Sequence, residues 1–566
     1  MLGRRELLQV AAASAALGGG VASAQNKTPS QAELLAFKAT GQLTLLHFTD
    51  LHAQLVPLYF REPSANVGVG EARGLPPHIV GDRLLENFKT GRGTYDAYTL
   101  ASSDFPALAK TYGRVGGLDR LATLIRAIRA ERPGRVLLLD GGDSWQGSYT
   151  ALQTKGADMV RAANALGVEA MTGHWEFTYG AARVEELRKE LKFPFLAGNV
   201  KEATWGDPVF DATTTIERGG LKVGVLGQAF PYTPVANPRH LIPDWSFGIE
   251  EEKIAANVDK LRSEGVDLVV LLSHNGFDVD RKLAGRVRGI DVILTGHTHD
   301  AIPAVVQVGE TLLVASGSHG KFLSRLDLDV RDRRIAAYEF RLIPVLADII
   351  EPDPSMTVVI GGIRKAHEGA LGRVLGRTES LLYRRGNFNG TFDDLLCQAL
   401  LAERDAEIAL SPGFRWGSTL LPGHDITLED VFSQTAITYP AACRTQMTGQ
   451  YLKEVLEDVA DNLFNPDPYY QQGGDMVRAG GLAYTLDIGK PVGQRISDMV
   501  LLRNGEKIDA ARNYTVSGWA SINEGAVGPP VYDVAAQYIE RIKSVRLEPN
   551  RHVTVRGADA AGLAEG

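Results

Sequence analysis

Between Gly41 and Leu342 five apolar runs recur: LTLLHFTD, RVLLLDGGD, LKVGVLGQ, VDLVVLLSH and VDVILTGHTHD. Each has strand length and is too continuously apolar to face water on either side. Segments with helical spacing separate them, among them Leu118 to Arg132 and Glu251 to Glu264. Strands buried on both faces need helices over their outer surfaces, which predicts an α/β layered domain. In such sheets the chemistry collects at the carboxyl ends of the strands. All of these runs except the one through Gly224 end in a histidine or an aspartate.

Taken in order, the strand-end residues are Asp50 and His52 from TDLH, Asp143 from GGDSWQG, His174 from GHWE, His274 from LLSHNG, and His297 and His299 from TGHTHD. Residues two apart on an extended turn can both reach one point, as in Asp50-x-His52 and His297-x-His299. Two cations about 3.5 to 4 Å apart require an anion between them, a role for the carboxylate of Asp143. The other six residues then divide into three per metal. An all N/O donor set suits manganese, iron or zinc without choosing among them. His47, His78, His240, His319, His367, His424 and His552 lack this context and read as structural.

The ordered motifs Asp-x-His, GGD, GHWEF, SH and GHTH, the helical GGLDRLATLI, and DITLEDVFSQ and MTGQYLKEVLE in the second half resemble the calcineurin-like metallophosphoesterases, specifically the 5′-nucleotidase family. The resemblance implies a four-layer αββα domain followed by a 5′-nucleotidase-type C-terminal α/β domain. It places Asp50, His52, Asp143 and His299 on one metal, and Asp143, His174, His274 and His297 on the other. It also implies that Arg415 in SPGFRWG faces the substrate, where it could fork onto two oxygens; a surface salt bridge is the plainer reading.

The family reads G-N-H-E-F-D where this chain has Gly173-His174-Trp175-Glu176-Phe177-Thr178. The family's asparagine becomes His174, its catalytic histidine Trp175 and its partner aspartate Thr178. The aromatic pair that sandwiches a nucleotide base aligns with Ile437 and Met476, and losing it removes roughly 1 to 3 kcal/mol of stacking per base. These departures resemble the SoxB-type thiosulfohydrolases of the periplasmic sulfur-oxidising pathway. That branch implies a hydrolase with two divalent ions, Mn2+ foremost, releasing sulfate from a cysteine-linked thiosulfonate on a sulfur-carrier protein. Trp175 would shape or gate the pocket, with core packing as its plainer role. Tyr179, Glu176, Arg384 and Arg385 are further candidates. A periplasmic 5′-nucleotidase or other phosphoesterase, and a non-enzymatic metal-stabilised binding protein, are the alternatives.

At 566 residues the chain exceeds a single core, given roughly 150 residues per domain. The expected division is a signal segment over 1–24, a catalytic domain over 41–345, a linker helix over 346–370 and a second α/β domain over 371–556. Arg4-Arg5, an apolar run and Ala22-Ser23-Ala24 look like a twin-arginine export signal, implying a periplasmic monomer. A net charge of −8 argues against nucleic acid as a partner. No later apolar run reaches the ~20 residues that span a bilayer. Residues 57–112, rich in Gly and Pro, read either as an irregular surface excursion or as a wall beside the site. The tail after Val555 is expected to fray. Cys397 and Cys443, the only two cysteines, read as buried thiols with one bridge possible.

Overall fold

The computed structural model describes residues 28–523 and 525–564. The expected signal segment over 1–24, and the export route read from it, lie outside the described residues.

Two sheets lie face to face in the first half. One runs in the order Arg334–Pro344, Phe322–Arg331, Leu43–Phe48, Val136–Asp140, Ala170–Met171, and the other Val306–Val308, Thr311–Ala315, Val292–Thr295, Leu268–Ser273, Leu221–Gln228, Thr213–Arg218. Because side chains alternate across a strand, successive residues serve two cores. Leu43, Leu45, Leu137, Leu139, Val270, Leu272 and Leu294 pack between the sheets. Leu46, Phe48 and Leu138 point outward against the helices Leu118–Glu131 and Ala157–Leu166. On the opposite outer face, Val269, Leu271 and Ile293 meet Glu251–Ser263 and Phe277–Arg286. The αββα layering follows from this two-sided burial.

Parallel register aligns the strand ends that carry the candidate residues. Phe48 pairs with Asp140 and Asp140 with Met171 in one sheet, while Gln228, Ser273 and Thr295 are level in the other. The loops that follow all emerge at one edge.

A helix over Pro354–Arg364, capped by Asp353, packs Met356, Ile360 and Ile363 onto the first half's helical layer. Beyond it, a sheet in the order Cys443–Thr448, Asn513–Gly518, Ile408–Gly413, Asp475–Gly480 is covered by Thr391–Glu403 and Val531–Ile542. A second core lies under Gly449–Phe464.

Two expectations need correction. Residues 57–112 contain the helices Gly81–Asn87, Tyr95–Leu100 and Phe105–Tyr112, with Phe60, Tyr98 and Phe105 buried. The tail is packed as far as residue 564: Val553–Arg556 pairs with Leu482–Asp487, and the amides of Asn66 and Val80 donate to the carbonyls of Gly562 and Ala561. Tail and inserted segment thus satisfy each other's backbone groups. The cysteines stand as read: both are free thiols, Cys397 buried and Cys443 half-buried, contacting the carbonyls of Arg478 and Gly518 respectively. Among the described residues no helix is long and apolar enough to cross a membrane.

Candidate metal centre

The strand-end residues converge in two groups, Asp50, His52, Asp143 and His299 in one and His174, His274 and His297 in the other, with the donor atoms of each group within 4.8 Å of one another. All seven are buried. Asp143 lies between the groups: its Oδ2 is 3.4 Å from His52 Nε2, 3.4 Å from His174 Nδ1 and 3.8 Å from His274 Nε2. Asp50 Oδ1 is 3.2 Å from His299 Nε2 and 3.5 Å from His274 Nε2.

The local backbone is unusual. Asp50, His52, Asp143, His297 and His299 have φ of 52°, 47°, 59°, 77° and 59°. Left-handed conformations at residues other than glycine are strained and cluster at functional sites. Aspartate and histidine tolerate them better than branched residues do.

The donors fit a pair of divalent cations. Both ring nitrogens of His174, Nε2 of His274 and Oδ1 of Asp143 are buried without a hydrogen-bond partner. Such groups are costly unless something else satisfies them. Burial, reinforced by neighbouring imidazoles, holds His52, His174 and His297 well below the usual histidine range, and burial lowers His299. Neutral imidazole is the ligating form. Burial first, then the charges of Asp50 and Glu176, pushes Asp143 well above the carboxylate range. An adjacent cation favours its ionised form.

Outer contacts orient these ligands. His274 Nδ1 meets the Gly141 carbonyl at 2.7 Å, turning Nε2 inward. Thr49 Oγ1 donates to Asp50 Oδ2 at 2.7 Å. The His297 amide also donates to Asp50 Oδ2, at 3.1 Å. The Glu176 carboxylate accepts the amides of His174, Asp143, Ser144 and Trp145 at 2.7, 3.2, 2.7 and 3.3 Å. Its place is structural support behind the loops.

The pocket in front of this cluster is lined by Trp175, Phe230, Tyr232, Phe414, Arg415 and Trp416. Trp175 meets Trp416 and Phe414 edge to face at 5.2 and 5.4 Å, within the buried cluster of the second half. The indole therefore lines the pocket and also plugs the contact between the halves. Thr178 turns the same way, its hydroxyl 2.7 Å from that of Thr438. Phe230 stacks on His297 at 4.0 Å and 27°.

Arg415 is no surface salt bridge. Its Nε pairs with Asp475 at 3.2 Å, its Nη1 donates to the Thr298 carbonyl at 3.0 Å, and its side chain is 11% exposed at the pocket. Tyr179 does not join the site: its hydroxyl lies against the carbonyls of Trp145 and Ala151, at 2.9 and 3.2 Å. Arg384 is buried against Asp393 and the Gln434 carbonyl, away from the pocket. Arg385 is likewise buried, donating to the carbonyls of His299 and Thr298 at 2.8 and 3.0 Å. Ile437 and Met476 are core residues and do not line the pocket. The pocket is not short of aromatic rings; they stand at other positions.

His319, read above as structural, sits 5.4 Å from His52 ring to ring, and its Nε2 accepts the Gly417 amide at 3.2 Å. It follows the strand Thr311–Ala315 in SGSHG, so the strand-end rule that found the other histidines reaches it too. His78 pairs with Asp278 at 2.7 Å and fastens the inserted segment.

The chain matches the calcineurin-like phosphoesterase family over residues 43–301 and the 5′-nucleotidase C-terminal domain over residues 374–537. It is similar to the sulfate thiohydrolase SoxB of Thermus thermophilus, at 37% identity and a TM-score of 0.89 over 93% of this chain and 98% of that one. A 5′-nucleotidase precursor from Thermus thermophilus has the same fold, with a TM-score of 0.72 at 20% identity over 91% of this chain and 100% of the other. The 5′-nucleotidase of Bos taurus is 26% identical over 436 residues, 69% of this chain and 73% of its own. The chain belongs to the 5′-nucleotidase family of calcineurin-like phosphoesterases, on its SoxB-type branch.

Proposed function

We propose that this protein is an exported, periplasmic hydrolase that releases sulfate from a thiosulfonate held on a cysteine of a sulfur-carrier protein, with two manganese ions at the cluster of Asp50, His52, Asp143, His174, His274, His297 and His299. The observation that carries this reading is Trp175. An indole stands where the family resemblance places an acid histidine, and Trp416 and Phe414 hold it there. Its indole N–H can donate a hydrogen bond but is too weak an acid to protonate a leaving group. A departing sulfur needs little help, since thiols ionise near ~8.5, far below an alcohol.

Bound divalent cations supply Lewis acidity toward the sulfonate oxygens and lower the pKa of an attacking water. The chain's own groups do the rest. Asp143 stands between the two ligand groups and balances their charge. Arg415, fixed by Asp475 and the Thr298 carbonyl, presents its remaining N–H groups to the pocket for a sulfonate oxygen. Trp175, Phe230 and Trp416 keep bulk water from the reacting bond. The water oxygen bonds to the sulfonate sulfur and the S–S bond breaks. The electron pair stays on the sulfane sulfur, leaving a cysteine persulfide on the carrier, and sulfate departs as the two protons of the water pass to solvent.

A nucleotidase reading draws on the relatives and on the rings of Phe230 and Phe414 in the pocket. One experiment separates the two. Protein loaded with manganese is incubated with a thiosulfonate-bearing carrier and, in parallel, with AMP. Sulfate release without phosphate release supports the proposal; phosphate from AMP with no sulfate from the carrier overturns it.

A further inference from the structure

We infer that the second half of the chain forms part of the supporting shell of the metal centre, with Gly473 and Arg385 as positioning residues for His297 and His299. This rests on the metal-binding part of the proposed function and is independent of the substrate.

Three loops from beyond residue 380 close on the segment His297-Thr298-His299. His297 Nε2 lies 3.0 Å from the carbonyl of Gln472. A carbonyl can only accept, so Nε2 carries the proton and Nδ1 is left with its lone pair for a cation. The approach requires glycine at the next position: Gly473 has φ of +75°, and a Cβ there would stand 2.2 Å from His297 Nε2. Arg385 supplies the second hold, donating Nη1 to the His299 carbonyl at 2.8 Å and Nη2 to the Thr298 carbonyl at 3.0 Å. Arg415 donates to that same Thr298 carbonyl at 3.0 Å. The third hold reaches the opposite loop. His319 donates its amide to the Asp50 carbonyl at 2.8 Å, and its ring accepts the amide of Gly417.

These contacts fall where the backbone most needs them. His297 and His299 both sit in the left-handed region, at φ 77° and 59°. Such residues persist only when their surroundings over-determine them. Here much of that surrounding comes from residues 86 and 175 positions away in sequence. The charge of Arg385 is balanced by Glu62 of the 57–112 segment, 3.3 Å away, which also accepts Lys321 Nζ at 2.8 Å. The inserted segment therefore acts on the metal loop through Arg385, and its Asn66, Val67, Pro77 and His78 also wall the cavity beside His297 and Arg415.

The test strips the full chain of metal with chelator, reloads it with Mn2+, and measures affinity by calorimetry, stoichiometry by metal analysis and the exchange-coupled dimanganese signal by electron paramagnetic resonance. Outer-shell changes typically weaken metal binding 10- to 100-fold. Gly473→Ala is expected to weaken one of the two binding events by about that factor and to diminish the coupled signal. Arg385→Ala is expected to do likewise, with Arg385→Lys, able to reach one carbonyl only, falling between. Melting of the metal-free proteins separates positioning from misfolding. If Gly473→Ala does not fold, the Arg385 pair decides. Wild-type affinity and an intact coupled signal in the folded variants would overturn the inference while leaving hydrolysis untouched. Loss of manganese in the variants, with a wild type that releases no sulfate, would instead remove only the substrate reading.

Discussion

Glu176 accepts the backbone N–H of His174, two residues before it in the chain, at 2.7 Å. The same carboxylate takes three amides of the Asp143 loop, so one buried charge joins two loops that carry ligands. Glu176→Gln replaces one acceptor oxygen with an NH2 group facing N–H donors. Stranding buried donors costs about 1–3 kcal/mol each. The expected outcome is a loss of about 2–4 kcal/mol, read from the urea midpoint, together with weaker manganese binding.

His174 has both ring nitrogens unpartnered. His174→Ala should therefore take bound manganese from two ions per chain toward one and lower activity by more than about 100-fold, a larger effect than outer-shell changes give. A ligand at 100 times its Kd adds about 2.7 kcal/mol of stability. The rise in Tm on adding manganese should accordingly shrink in the variant, and calorimetric scans with and without metal measure it.

Arg415 offers the pocket a cation already anchored at its other nitrogens. Arg415→Ala should raise KM for an anionic substrate by about 10- to 100-fold, the worth of a charge-assisted hydrogen bond of about 1.5–3 kcal/mol, with a smaller change in kcat. Arg385 still holds the Thr298 carbonyl, so manganese content should stay near the wild-type value.

Trp175 is 5% exposed and lies in a cluster with Trp416, Phe392 and Leu382. Trp175→Ala opens a cavity where the halves meet and is expected to cost about 3–5 kcal/mol. Thermal unfolding should show this even without metal, which separates the packing role from any role in the pocket.

Burial, opposed by nearby Arg341, raises the carboxyl of Asp96 from 3.8 to about 6. Between those values the folded chain binds more protons than the unfolded one, so this group's contribution to stability falls as pH rises through that window. Asp96→Asn removes the contribution. The variant should gain on the wild type between pH ~4 and ~6.5, read as the difference in urea midpoints at the two ends.

The ligand set was legible because two signals coincide: continuous apolar runs mark buried strands, and the strand ends carry Asp and His. The same rule extends to His319, which follows the short strand Thr311–Ala315 in SGSHG. The helices of 57–112 were hidden by their length, six to eight residues, and by the glycines and prolines between them. Thr94, whose side chain caps Ala97, was the available sign. Tyr179 shows the limit of proximity in sequence: five residues after His174, it has turned to face Trp145 and Ala151. Ile437 and Met476 align with a ring sandwich, yet both lie in cores, and the rings that line the pocket are Trp175, Phe230, Tyr232, Phe414 and Trp416. The grip of Arg385 and Gln472 on the GHTH loop spans 86 and 175 residues, and no local pattern encodes contacts of that range.

The two thiols have a consequence for sulfur chemistry. Cys397 is buried beneath the Arg478 carbonyl, with burial pushing its pKa well up, and neither it nor Cys443 opens on the pocket. On the proposed function, a persulfide or polysulfane entering there would meet imidazole, carboxylate, guanidinium and indole, and no thiolate that could capture its outer sulfur by exchange. On that reading, the pocket itself offers reactive sulfur no thiol of this chain to exchange with.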